Sequence, residues 1–177
     1  KCFDAYIVKT DFNGIETNSL KIGSIDAQDS AKDIIKINKD EFVVTGIKSL
    51  SSENDKQIES QVLLLKLDKD ANLIKDLSFN VGVYAVGYSL ILLSDNNIIV
   101  TGKTKNKEKN FDLFVANYNI KNEEIDWKRI FEKKRYDEGM SVVLNENNIQ
   151  ILGRSDSFNS RMDFIKFKID FEGNIVD

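Results

Sequence analysis

One apolar run ending in glycine occurs three times in this chain: "EFVVTG" at 41–46, "NIIVTG" at 97–102 and "NIQILG" at 148–153. The glycines Gly46, Gly102 and Gly153 lie 56 and 51 residues apart. A second, unrelated marker drifts in step with them. "DAYIVKTD" (4–11), "QVLLLKLD" (61–68), "DLFVANYN" (112–119) and "DFIKFKID" (163–170) begin 57, 51 and 51 residues apart. Two markers sharing one period indicate a structural repeat, in which each unit buries its apolar faces against its neighbours. A period in the low fifties is long for a helical repeat and fits four strands per unit.

Each period carries four strand-like runs with turn chemistry between them. In the middle copy "GYSLILLS" turns through "DNN" into "IIVTGKT", and the loop "KNKEKN" leads to "FDLFVANYN". The turn "IKNEE" then leads to "IDWKRIF". The short turns are rich in Asn, Asp and Gly, as tight hairpins require. The third-type strand is apolar on both alternating sets: Val62 and Leu64 on one side, Leu63, Leu65 and Leu67 on the other. A strand of that kind is covered on both faces, which stacked antiparallel sheets provide and a two-layer sandwich does not. The expectation is an all-β fold of β-propeller-type repeats, about three and a half four-stranded antiparallel blades. A partial blade spans 3–22, and blades span about 30–79, 86–131 and 138–177. The innermost strands are expected at 31–37, 87–94 and 138–144.

These residues resemble the bacterial seven-bladed β-propeller repeat family of secreted and surface proteins. The matching positions are Asp4, Lys9, Asp11 and Gly14, then Lys66 and Asp68, then Asp163, Lys168, Asp170 and Gly173. The strand-end glycines and Trp127 match as well. The Gly-Gly pair that such repeats often carry after the aromatic strand is absent. The resemblance implies a non-catalytic binding or scaffold module of a bacterial surface or secreted protein, located outside the cell or in its envelope. The alternatives are a hydrolase- or lyase-type propeller enzyme using Asp or Glu near the propeller axis, and a purely structural spacer. Three and a half blades are too few to close a ring. The chain is therefore read as part of a larger propeller, with self-association as the alternative.

Composition narrows the chemistry. The 177 residues contain no His, so the Ser-His-Asp and Cys-His machineries and His-ligated metals are outside its means. Net charge is −4, the wrong sign for a nucleic-acid partner, and no apolar run is long enough to span a membrane. A single cysteine, Cys2, rules out an internal disulfide framework. Lipidation of Cys2 would want a small residue where Lys1 stands. None of the 18 Asn residues lies in a glycosylation sequon, which favours a bacterial source. The missing initiator Met reads as a fragment or processed product.

Meander topology puts the short turns at one end of every sheet and the long, variable connections at the other. The long group is 23–29, 49–60, 80–85, 103–110, 132–137 and 154–162. Function concentrates on variable loops over a rigid scaffold, so a protein or glycan ligand is expected on that face. Three stretches stand out. Asp68, Asp70 and Asn72 alternate like the start of a calcium loop but lack its Gly and distal Glu, and they fall where the repeat needs a hairpin. The turn reading is preferred, so no cofactor is expected, with calcium as the alternative. The lysines Lys103, Lys105, Lys107 and Lys109 read as a solvated loop. Lys133, Lys134, Arg135, Tyr136, Asp137 and Glu138 offer cations, a phenol and carboxylates together, a set suited to polar or sugar recognition in a surface loop.

Overall fold

The computed structural model describes residues 3–23, 28–50, 59–105, 110–132, 136–156 and 162–176. Among these residues the fold is all-β. An N-terminal hairpin pairs β1 (Ala5–Thr10) with β2 (Glu16–Ile22). Sheet I is β3 (Ser30–Lys36), β4 (Glu41–Leu50), β5 (Glu59–Asp68) and β6 (Leu73–Asp76). Sheet II is β7 (Tyr84–Ser94), β8 (Asn97–Lys105), β9 (Phe111–Asn119) and β10 (Glu124–Phe131). Sheet III is β11 (Asp137–Leu144), β12 (Ile149–Ser155), β13 (Asp163–Ile169) and β14 (Ile175–Val176). Each sheet is an antiparallel meander in chain order. No helix among the described residues is long and apolar enough to cross a membrane.

The sheets stack, and one apolar cluster fills each seam. Ala5 and Ile7 of β1 meet Leu63, Leu65 and Leu67 of β5. Val62 and Leu64, on the other side of β5, meet Phe114, Ala116 and Tyr118 of β9. Leu113 and Val115, on the other side of β9, meet Ile149, Ile151 and Ile169 of sheet III. β5 and β9 are apolar on both alternating sets because each is covered on both faces. Along β13 the outward set is Phe164, Lys166 and Lys168. Those lysines stand where the interior strands carry Leu64 or Val115 and Lys66 or Asn117.

The recurring glycine is explained by a β-bulge. The first strand of each sheet shifts register at an equivalent place: between Ala31 and Asp33, between Gly87 and Ser89, and between Gly139 and Ser141; β7 shifts a second time next to its turn, between Leu92 and Ser94. The residues before the equivalent shifts pair with Gly46, Gly102 and Gly153. A Cβ on these glycines would lie 1.9, 1.9 and 2.2 Å from the carbonyl oxygens of Ser30, Val86 and Glu138. Only a hydrogen fits beneath the bulge. The preceding threonines work across the seam. Thr45 and Thr101 donate Oγ1–H to the Leu63 and Phe114 carbonyls at 3.1 and 2.9 Å. Their hydroxyls sit against Gly87 and Gly139 of the next sheet, where a Cβ would come within 2.2 and 2.1 Å of them. "Thr-Gly" is thus a joint that serves its own sheet and the following one.

The short-turn end is stitched in a repeating way. Asp11, Asp68 and Asp170 each close a hairpin by accepting two backbone N–H groups on one carboxylate oxygen. The outer strand of one sheet then holds the turn of the next. Asn18 donates to the Asp70 carbonyl at 2.5 Å, and Lys75 pairs with Glu123. Trp127 Nε1 and Arg129 Nη2 donate to the Phe171 and Glu172 carbonyls, each at 2.9 Å.

Candidate functional site

The long-loop end of the stack holds a groove of about 460 Å³. Ile47 and Val86 give it apolar surface, Tyr84 and Tyr88 give it aromatic surface, and Asp4, Asp29, Ser30 and Lys32 give it polar groups. The bulges explain why several sheets contribute. Lys32 and Tyr88 are the extra residues at the β3 and β7 bulges, outside the regular pairing of their strands. Asp29 is buried at the mouth, where its Oδ1 accepts the Ser49 amide at 2.9 Å. Asp4 pairs with Lys21 at 2.6 Å. Asp33 reaches across the seam, and its Oδ2 accepts the Ser89 hydroxyl and the Leu90 amide at 3.1 Å each. That bond satisfies an amide beside the bulge and fixes where Tyr88 stands.

Beside the groove lies a plugged counterpart between sheets II and III. The Lys103 side chain is only 14% exposed. Its ammonium lies 4.7 Å from the Phe111 ring centre, 5.1 Å from that of Tyr136 and 5.7 Å from that of Tyr88. It donates to the Tyr136 hydroxyl at 2.7 Å and sits 3.6 Å from Glu138 Oε2. The Glu138 side chain is 1% exposed; Arg154 Nε binds its Oε1, and the Tyr136 hydroxyl donates to Oε2 at 2.6 Å. Phe111 joins the two areas, 5.3 Å from Tyr84 and 5.4 Å from Tyr136.

Burial sets the local acidities. It lowers the Lys103 ammonium below the ordinary lysine value, with Glu138 pulling the other way. Burial raises Tyr84, and it raises Tyr88 and Tyr136 further with help from the Glu138 carboxylate. Arg154 is raised by its hydrogen bond to Glu138. The buried cation is tolerated because three ring faces and a carboxylate replace its water.

Two expectations are corrected here. Lys103, read as part of a solvated loop, lies in β8 and is largely enclosed, and Lys105 is also in β8, 5.6 Å from the Phe111 ring centre. Asp137 and Glu138, read as surface-loop residues, open β11 and are each 1% exposed. Glu138 can be buried because both its oxygens are hydrogen-bonded. Tyr136 stands half-buried beside them, and Lys107, Lys109, Lys133, Lys134 and Arg135 lie outside the described residues.

Asp68, Asp70 and Asn72 sit at the opposite end, turned to different partners. Asp68 Oδ1 accepts the Asp70 and Asn72 amides, Asp70 pairs with Lys9 at 2.6 Å, and the Asn72 oxygen faces Asn18. The bond from the Asn72 side chain is the main cause that lowers the Asp68 pKa. Among the described residues no group of three or more His, Cys, Asp or Glu could hold a metal ion.

The sequence reading misses Tyr84, Tyr88 and Arg154, and takes Lys103 only as one lysine of a solvated run. One signal was there: "YAVG" and "YDEG" place Tyr84 and Tyr136 at the same offset before Gly87 and Gly139. No protein-family model matches this chain, and no curated protein matches it.

Proposed function

We propose that the chain is a non-catalytic binding module of β-propeller-type blades from a bacterial surface or secreted protein, and that it takes a protein or glycan ligand in the Tyr84–Tyr88 groove. The blade reading is supported by a repeated design: three four-stranded meanders, a Thr-Gly joint at each of the two seams between them, and outer strands that hold the next turn at all three seams. The ligand reading is carried by the groove. It combines two tyrosine faces and two aliphatic residues with carboxylates, a hydroxyl and an ammonium, at the variable-loop end of a rigid stack. Tyrosine supplies contact area at small entropic cost, and the polar groups fix orientation. An acid–base enzyme needs carboxylates free to exchange protons with a substrate. Here Glu138 is held by Arg154 and Tyr136, and Asp29 and Asp33 accept backbone amides.

The test is the labelled chain on arrays of immobilised oligosaccharides and peptides, run beside Tyr88→Ala and Phe12→Ala. Phe12 is fully exposed in the turn at the other end. We expect binding to one class of spot, weakened about tenfold or more by Tyr88→Ala and unchanged by Phe12→Ala. Binding that survives Tyr88→Ala, or turnover of the bound molecule, would overturn the reading.

A further inference from the structure

We infer that the ligand of the Tyr84–Tyr88 groove is an acidic sugar, a uronic acid unit of a glycan, whose carboxylate pairs with Lys32 where the next seam keeps its own Glu138. The inference rests on the groove reading above and narrows it.

The plugged seam shows what surrounds a carboxylate at this place in the repeat. Glu138 stands one residue before Gly139 and is held by the Tyr136 hydroxyl at 2.6 Å, with the Lys103 ammonium at 3.6 Å. Tyr88, the extra residue at the β7 bulge, reaches the same ion pair, with its ring centre 5.7 Å from that ammonium. The open seam keeps this frame without the anion. Tyr84 takes the position of Tyr136, and Val86 takes that of Glu138. Lys32, the extra residue at the β3 bulge, takes the position of Tyr88. A cation thus stands at the bulge, and the position of the carboxylate it would face is a valine. Among the described residues no carboxylate forms an ion pair with Lys32, which is exposed on the groove wall. The ligand supplies the missing charge.

The carboxylates of the groove are occupied by the chain itself. Asp4 pairs with Lys21 at 2.6 Å, and Asp29 is buried with its Oδ1 on the Ser49 amide. An incoming anion is therefore met by Lys32 rather than turned away. The rest of the wall chooses among anions. Tyr84, Tyr88, Ile47 and Val86 offer apolar surface that suits the C–H face of a sugar ring. Ser30 and Asp4 offer acceptors for ring hydroxyls. A uronic acid carries the anion, the apolar face and neutral donors on one compact ring. An acidic side chain of a protein carries the anion alone.

The probes are methyl β-glucuronide, neutral methyl β-glucoside and N-acetylglutamate amide, each titrated into the methyl-labelled chain while the Ile47 and Val86 methyl signals are followed by NMR. The glucuronide is expected to shift both signals at about tenfold lower concentration than the glucoside. Lys32→Met should erase that difference, and Lys166→Met, at an exposed lysine of sheet III, should keep it. The inference is overturned if the glucuronide moves neither signal, if the two sugars act alike, or if Lys32→Met preserves the difference. A glutamate derivative as effective as the glucuronide would assign the groove to an acidic protein segment and also overturn it. Array binding lost with Tyr88→Ala, together with glucuronide and glucoside acting alike, would keep the groove reading and end this one, so the two fail separately.

Discussion

The seam between sheets I and II and the seam between sheets II and III share one joint and end in opposite chemistry. In both, a threonine of one sheet rests against a glycine of the next. One residue past the second-strand glycine, the first seam has Ile47 and the second has Lys103. One residue before the first-strand glycine, they have Val86 and Glu138. Both have a tyrosine two residues earlier still, Tyr84 or Tyr136. Where the pair is aliphatic, the side chains stop short and a groove remains. Where it is Lys and Glu, the long stem and ion pair fill the same space. The joint holds the stack, and the residues beyond it are free to differ, so one repeat can carry an open site and a closed one.

The largest effect should come from breaking the plug. Glu138→Ala leaves Lys103 enclosed by rings without its carboxylate and should cost about 3 kcal/mol in urea unfolding. Val86→Ala, at the corresponding place in the open seam, should cost less, about 2 kcal/mol or below. Making the second seam like the first, with Lys103→Ile and Glu138→Val together, should stay within about 1 kcal/mol of the parent, because an apolar pair needs no counter-ion. If Glu138→Ala proves no worse than Val86→Ala, the electrostatic half of the contrast is wrong.

The shared half is tested by methyl groups. Gly87→Ala and Gly139→Ala each push a Cβ onto a threonine hydroxyl, and each should cost about 2 kcal/mol. The two costs should match, since the joint is the same in both seams. Thr45→Ala should relieve the first and Thr101→Ala the second, with a coupling of about 1 kcal/mol in each double-mutant cycle. Costs without coupling would mean that the threonines are not what the glycines make room for.

The stacking of sheets was legible because it is written as periodicity. The two apolar sets of "QVLLLKLD" follow from cover on both faces, and Asp68 and Asp170 mark hairpins because a strand-end carboxylate can accept the turn amides. The plug was not legible. "KTKNKEKN" looks like a run of solvated lysines, and nothing near Lys103 in sequence distinguishes it from Lys107. Its burial depends on Glu138 and Tyr136, which arrive from the next sheet. The groove was hidden for a similar reason, since the bulges that free Lys32 and Tyr88 from regular pairing show in the sequence only as their glycine partners. Ala71 is a smaller case. Its φ of 63° matches Gly14 and Gly173 at 81° and 84° in the same turn, a strain the residue type conceals.

The smallest effect is a slope at alkaline pH, and it separates the seams by their carboxylate. A tyrosine buried in neutral form has a folded pKa above its unfolded value near 10. As pH rises past that value the unfolded chain loses its proton first, so stability is full below about pH 10 and falls above it. Tyr88 and Tyr136 are raised by burial and by Glu138, and Tyr84 by burial alone. Tyr118, in the core between sheets I and II, is raised to about 12. Lys103 acts in the other direction. Its pKa is lowered by burial, so its contribution rises with pH up to the unfolded lysine value and partly offsets the tyrosines. Urea midpoints should therefore drop above pH 10, and Tyr136→Phe should flatten that drop more than Tyr84→Phe does. Equal flattening would mean that the Glu138 carboxylate adds nothing to burial, and the two seams would then differ in shape alone.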